Sequence, residues 1–228
     1  MAGTKEQVLA SESDLIDDLH VNEAWMRHSV YRFFASLHLY PDRDRLGILQ
    51  KAALQLHGEG SSSVSTQFTG LNEYLGDMNE TSIHKVEEEY VALFSVNPCA
   101  PPYESYYQDP EGFVRSWIII QLEKEYAEAG LKIRRSFKQP PDHVAIELEF
   151  MAFLCSLEAK GHETSNEVDV RTSLERQYQF LSSHLGNWYP RFAQMVKDAP
   201  TMGLYDLTVE ATNTYLHLEK SAVRTALV

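Results

Sequence analysis

Apolar residues along this chain return every three or four positions and almost never every second one. Val30, Phe34 and Leu37 form one such stripe, and Ile83, Val86, Tyr90 and Leu93 a second. Val170, Leu174, Tyr178, Leu181 and Leu185 make a long one; Leu204, Leu207, Ala211, Tyr215 and Leu218 another. Each stripe predicts an α-helix with one buried face. Helices are expected near residues 20–40, 42–57, 64–77, 82–95, 112–130, 142–161, 168–187, 188–198 and 203–220. The pattern therefore predicts an all-α, single-domain helical bundle of about nine helices.

Breaks fall where backbone chemistry wants them. Pro41-Asp42 can end one helix and start the next. His57 to Ser63 reads as a flexible loop, and Asn97 to Pro102, with three prolines, cannot be helical throughout. Gly130 sits where a left-handed C-terminal cap is wanted, and Gly161 is a second candidate. Residues 1–17 and 221–228 have weak patterns and are expected to be mobile ends flanking a domain over 18–220. The helix from Asp142 is different, because Val144, Ile146, Leu148, Phe150, Met151, Phe153 and Leu154 point nearly all round. Such a helix belongs at the centre of a bundle, and Glu147 and Glu149 on it must be paired or reach solvent.

Composition narrows the function. The net charge of −13 argues against nucleic-acid binding, which needs clustered Lys and Arg, and suits either simple solubility or a basic partner. No stretch approaches the roughly 20 apolar residues of a membrane span, and Met1 to Ser13 lacks the features of a secretory signal. Two cysteines, Cys99 and Cys155, suggest no disulfide framework, so a cytoplasmic setting is expected.

Two segments carry candidate chemistry. In Pro140-Pro141-Asp142-His143 running into Glu147-Leu-Glu149-Phe-Met151, proline fixes the approach to a helix. Asp142 is a natural cap or first-turn residue, with His143 in the first turn. The same residues could instead form a polar rim beside an apolar groove. Pro102-Tyr103-Glu104-Ser105-Tyr106-Tyr107 follows the helical Glu89-Tyr90-x-x-Leu93-Phe94. Its tyrosines offer broad contact area with a polar tip, fit either for a packed connector or for holding a peptide.

Together these segments, with Tyr31 to Pro41 and Tyr126 to Leu131, resemble in order and spacing the TorD/DmsD/NarJ family of redox-enzyme maturation chaperones. The resemblance spans roughly residues 20 to 218. It implies a cytoplasmic helical protein, with no catalytic residues, that binds an immature molybdenum oxidoreductase of the dimethyl sulfoxide reductase class. It further implies binding of that client's twin-arginine signal peptide, delaying export until cofactor insertion. Carried over residue by residue, it makes Pro141, Asp142 and His143 the expected peptide site. Tyr103, Glu104 and Ser105 become its wall, and Glu147 a source of negative charge. Some members of the family touch molybdopterin guanine dinucleotide or guanine nucleotide transiently, and some form dimers. The expectation here is no tightly bound cofactor and a monomer or dimer.

Other readings stay beside this one. A helical metal-carboxylate enzyme would want Glu-x-x-His pairs on two helices, and none occurs in this sequence. A passive helical scaffold would bind mature and immature partners alike. Arg134-Arg135-Ser136-Phe137-Lys138 imitates a twin-arginine motif but is internal and precedes Gln-Pro-Pro-Asp, not an apolar run.

Overall fold

The computed structural model describes residues 12–59, 62–108, 116–133, 139–200 and 203–228. The Arg134–Lys138 motif and residues 1–11 lie outside these. The described chain is helical: α1 (Glu12–Leu37), α2 (Arg43–Glu59), α3 (Ser62–Gly76), α4 (Glu80–Tyr90), α5 (Glu104–Gln108), α6 (Ser116–Glu128), α7 (Val144–Glu163), α8 (Glu167–Ser183), α9 (Leu185–Asp198) and α10 (Leu204–Ala226). No strand occurs among the described residues, and the one β-type pairing is an isolated bridge between Tyr103 and His143.

All nine expected helices are present, and the differences have local causes. Of the loop expected over 57–63, residues 57–59 belong to α2 and residues 62 and 63 to α3, while residues 60 and 61 lie outside the described ones. The helix expected to reach residue 95 changes register. After Tyr90 the backbone makes a π turn, Val91–Ser95, closed by Val96 N–H donating to Val91 O at 3.2 Å. The last helix does not stop at residue 220. It continues to Ala226, with Val223 buried in the bundle.

Two helix ends show how capping works here. Gly130, at φ +88°, gives α6 the expected left-handed cap, with Gly130 N–H on Ala127 O and Leu131 N–H on Tyr126 O. Gly161 does not cap α7. It lies inside the helix against Val170, where a Cβ would come within 2.8 Å of Cγ2. Ser165, at φ +49°, takes the capping role four residues on, through Ser165 N–H to His162 O and Asn166 N–H to Gly161 O.

α7 runs through the middle, packed on α1, α8 and α9, and most of its residues are buried. A second centre of order is ionic. Arg27 of α1, its side chain 12% exposed, donates to Glu158 of α7 (2.9 Å), to Glu219 of α10 (2.8 Å) and to Gln177 of α8. One guanidinium thus fixes four helices in register, using the rigid fork that Arg provides.

Candidate functional site

The seven residues expected to form a peptide site do come together, but mostly inside the protein. The segment Pro102–Glu104 lies antiparallel to Asp142–Val144. Glu104 N–H donates to Asp142 O at 2.9 Å, and Val144 N–H donates to Pro102 O at 3.0 Å. The expected cap is displaced by one residue. His143, not Asp142, caps α7, its Nδ1 accepting from Ala145 N–H at 3.1 Å. That frees the Asp142 carboxylate to take Ser105 Oγ–H at 2.6 Å and Ser105 N–H at 3.3 Å, tying α5 to the start of α7.

Glu104, Ser105, Asp142, His143 and Glu147 are fully buried. The expectation of an open polar rim is corrected accordingly. These side chains turn inward across the junction instead of facing solvent, and Asp142 Oδ1, His143 Nε2 and Glu147 Oε1 accept no hydrogen bond there. Tyr103 and Pro141 keep part of their surface exposed. Tyr103 stands edge-on to the His143 ring, with centroids 5.4 Å apart, and Tyr126 OH holds Pro141 O at 2.9 Å.

Behind the junction sits a group that sequence reasoning did not single out. His184, at the corner between α8 and α9, places Nδ1 2.8 and 2.9 Å from the two Glu104 oxygens and Nε2 3.3 Å from Glu125 of α6. Burial alone would lower the pKa of His184. The hydrogen bonds and charges of both glutamates outweigh it and lift it to about 9, so the ring is a buried cation at neutral pH. Glu104 is itself pushed above the usual carboxylate range, by burial first and in spite of His184.

Glu147 lies beside Glu104, with Oε2 accepting Trp188 Nε1–H at 2.9 Å. Burial, and then the Glu104 charge, raise it well above its ordinary value. Its Oε1 receives no ordinary donor, the setting of a protonated carboxyl turned toward Glu104. His143 moves the other way. Burial, and then His38, lower it to about 3, so it is neutral. Nothing short of the fold marks His184, since its partners lie 80 and 59 residues away in sequence.

One hollow borders the junction at Glu125 and Ser183, behind His184, and another opens on the Tyr103 side. Tyr90 neighbours Tyr103 and packs edge-on against Tyr40, with centroids 5.6 Å apart. Beyond them is a hollow of about 550 Å³, with Tyr40, Val91, Ala92 and Val96 as its apolar lining and His84, Glu87 and Glu88 on its rim. The π turn creates it. Leu93 and Phe94 turn into the core while Val91, Ala92 and Val96 face out, and π turns are frequent at functional positions. Among the described residues, no group of three or more His, Cys, Asp or Glu is placed to hold a metal ion. Nor is any helix among the described residues long and apolar enough to cross a membrane.

Known proteins agree with this architecture. The sequence profile described as "Nitrate reductase delta subunit" matches residues 58–194, more than half of the chain. The chaperone protein TorD of Vibrio cholerae serotype O1 (strain ATCC 39541) is 26% identical over 162 residues, 69% of this chain and 72% of that one. TorD of Aliivibrio salmonicida is 26% identical over 163 residues, 71% and 74% of the two chains. A crystal structure of a redox enzyme maturation protein from Archaeoglobus fulgidus superposes with a TM-score of 0.55 at 22% identity. It covers 86% of this chain and 93% of that one, and so bears on the fold. The chain belongs to the nitrate reductase delta subunit family, the NarJ- and TorD-type redox-enzyme maturation chaperones, and its role is that of a chaperone, not of an enzyme.

Proposed function

We propose that the chain receives the signal segment of an unfinished molybdenum oxidoreductase in the hollow beside α4. There it holds the immature catalytic subunit in the cytoplasm until its cofactor is in place. One observation carries this reading. Three other hollows on the described surface carry cations on their walls, whereas this one joins an apolar floor to Glu87 and Glu88. A twin-arginine segment, basic and then apolar, is its complement: carboxylates orient guanidinium groups and the floor takes the apolar run. Tyr103 and Pro141 are the members of the expected site with surface to offer such a client. Glu104, Ser105, Asp142, His143 and Glu147 support them from behind.

Calorimetric titration of the full chain with the client's N-terminal peptide tests this. Binding is expected, and Glu87→Gln with Glu88→Gln should weaken it about three- to tenfold, at up to about 1 kcal/mol per exposed pair. Added salt should weaken the wild type more than the variant. A chaperone also releases its finished product, so cofactor-free catalytic subunit should bind more tightly than the mature enzyme. Absence of binding to both peptide and cofactor-free subunit would refute the proposal. Equal affinity for mature and immature forms would favour a passive scaffold.

A further inference from the structure

A hollow of about 800 Å³ lies between α1 and α2 and makes the opposite electrostatic demand. On α1, Asn22, Met26, Ser29, Phe33 and Ser36 follow one another in steps of four, three, four and three, so a single face lines the groove over about four turns, ~21 Å of helix. On α2, Ile48, Ala52 and Gln55 keep the same rhythm on the facing wall. α2 leans chiefly on α3, leaving its α1-facing side parted from α1. Ile48 is 65% exposed, a large apolar side chain at the lip of an apolar trough.

The charge at this groove runs against that of the chain. Arg32 and Arg45 stand on its walls against the one carboxylate of Glu149, whereas the whole chain carries −13. Arg45 is braced by a 2.9 Å bond from Nε to Tyr40 O. Arg32, with a side chain 61% exposed, meets Glu149 only at 3.7 Å, a surface pair that a better partner can displace. Two helices with facing stripes and a gap of helical length form the receiving half of a helix-in-groove interface.

We propose that the α1–α2 groove seats one amphipathic helix of a partner protein, about four turns long, whose apolar face is flanked by carboxylates. Its apolar side covers Met26, Ala52 and Ile48 above the buried Phe33, and its carboxylates meet Arg32 and Arg45. This groove shares no lining residue with the acid-rimmed hollow beside α4, with Arg45 and Tyr40 bonded between the two, so the protein sorts two segments of opposite charge into neighbouring recesses.

Fluorescence anisotropy of the full chain with two labelled helical probes tests the proposal. The probes share one leucine face and carry Glu flanks in one case and Lys flanks in the other. The Glu probe should bind about tenfold more tightly at low salt. Arg32→Glu should cut that preference at least about fivefold by reversing one rim charge, and Ile48→Glu should abolish binding of the Glu probe. Far-ultraviolet circular dichroism and thermal melts of both variants, at positions already exposed to solvent, check that the fold is intact. No binding of the Glu probe, or its indifference to both substitutions, overturns the proposal, and so does a Lys probe that Arg32→Glu and Ile48→Glu weaken as much as the Glu probe. So does concentration-dependent self-association that Ile48→Glu removes, because the groove would then belong to a second copy of this chain.

Discussion

Replacing His184 by Asn isolates the energetics of the buried junction. The wild-type ring contacts both oxygens of Glu104 and reaches Glu125 across the end of α8. Asparagine keeps an amide donor but neither the charge nor the reach. Glu104 would then be a buried carboxyl beside Glu147, forced to bury an uncompensated charge or to take up a proton. Removing one partner of a buried ion pair costs about 3–5 kcal/mol. The lift of His184 from 6.5 to about 9 independently corresponds to about 3 kcal/mol in favour of the protonated, folded form. The two routes meet at about 3 kcal/mol, a large part of the 5–15 kcal/mol that typically holds a domain together.

The pH dependence follows from the sign of that shift. A folded-state pKa above the unfolded one adds stability that is full below 6.5 and is lost as pH climbs through about 9. Glu147, raised by burial, acts in the same direction from the carboxylate range upward. Urea unfolding followed by circular dichroism should show wild type and His184→Asn furthest apart below pH 6.5 and converging above about 9. Glu104→Gln should recover part of the loss in the His184→Asn background. A difference under about 1 kcal/mol at pH 6.5, or a wild type equally stable across the window, would refute the ion-pair account.

Other substitutions probe neighbouring features. Gly186→Ala would set a Cβ 2.2 Å from Leu181 O at the α8–α9 corner and should cost about 3 kcal/mol or more in a thermal melt. Gly47→Ala in α2 meets nothing within 4 Å and should instead stabilise by about 0.5–1 kcal/mol in the same measurement. Ser105→Ala removes the 2.6 Å bond to Asp142 and should cost about 1–3 kcal/mol by urea unfolding. Arg27→Met leaves Glu158 and Glu219 without their shared cation and should cost about 3–5 kcal/mol, read in the same way.

The helices were legible because burial on one face leaves a periodic trace, and α7 betrayed its central place by being apolar all round. α5 left no trace, since five residues, Glu-Ser-Tyr-Tyr-Gln, are too few to display a period. The residue types at the junction were legible, but their burial was not. Asp142, His143 and Glu147 look like surface chemistry until Ser105, Trp188 and His184 arrive from 37, 41 and 80 residues away along the chain to Asp142, Glu147 and Glu104 respectively. Polar burial depends on such long-range pairing, which no local pattern records. The hollow beside α4 escaped notice for a similar reason. A π turn and an α-helix share their first residues, and only the shifted Val96 bond tells them apart.

The backbone pairing of Pro102–Glu104 with Asp142–Val144 acts as a clasp at the base of a long excursion that carries α6. Because the clasp is closed by its own bonds, the chain outside it need not keep a fixed length. Loop-closure entropy grows only logarithmically, so doubling the excursion would cost about 0.6 kcal/mol. Changes of length are therefore cheapest outside α6, whose Glu125 and Tyr126 must still reach His184 and Pro141 for the junction to stay where it is.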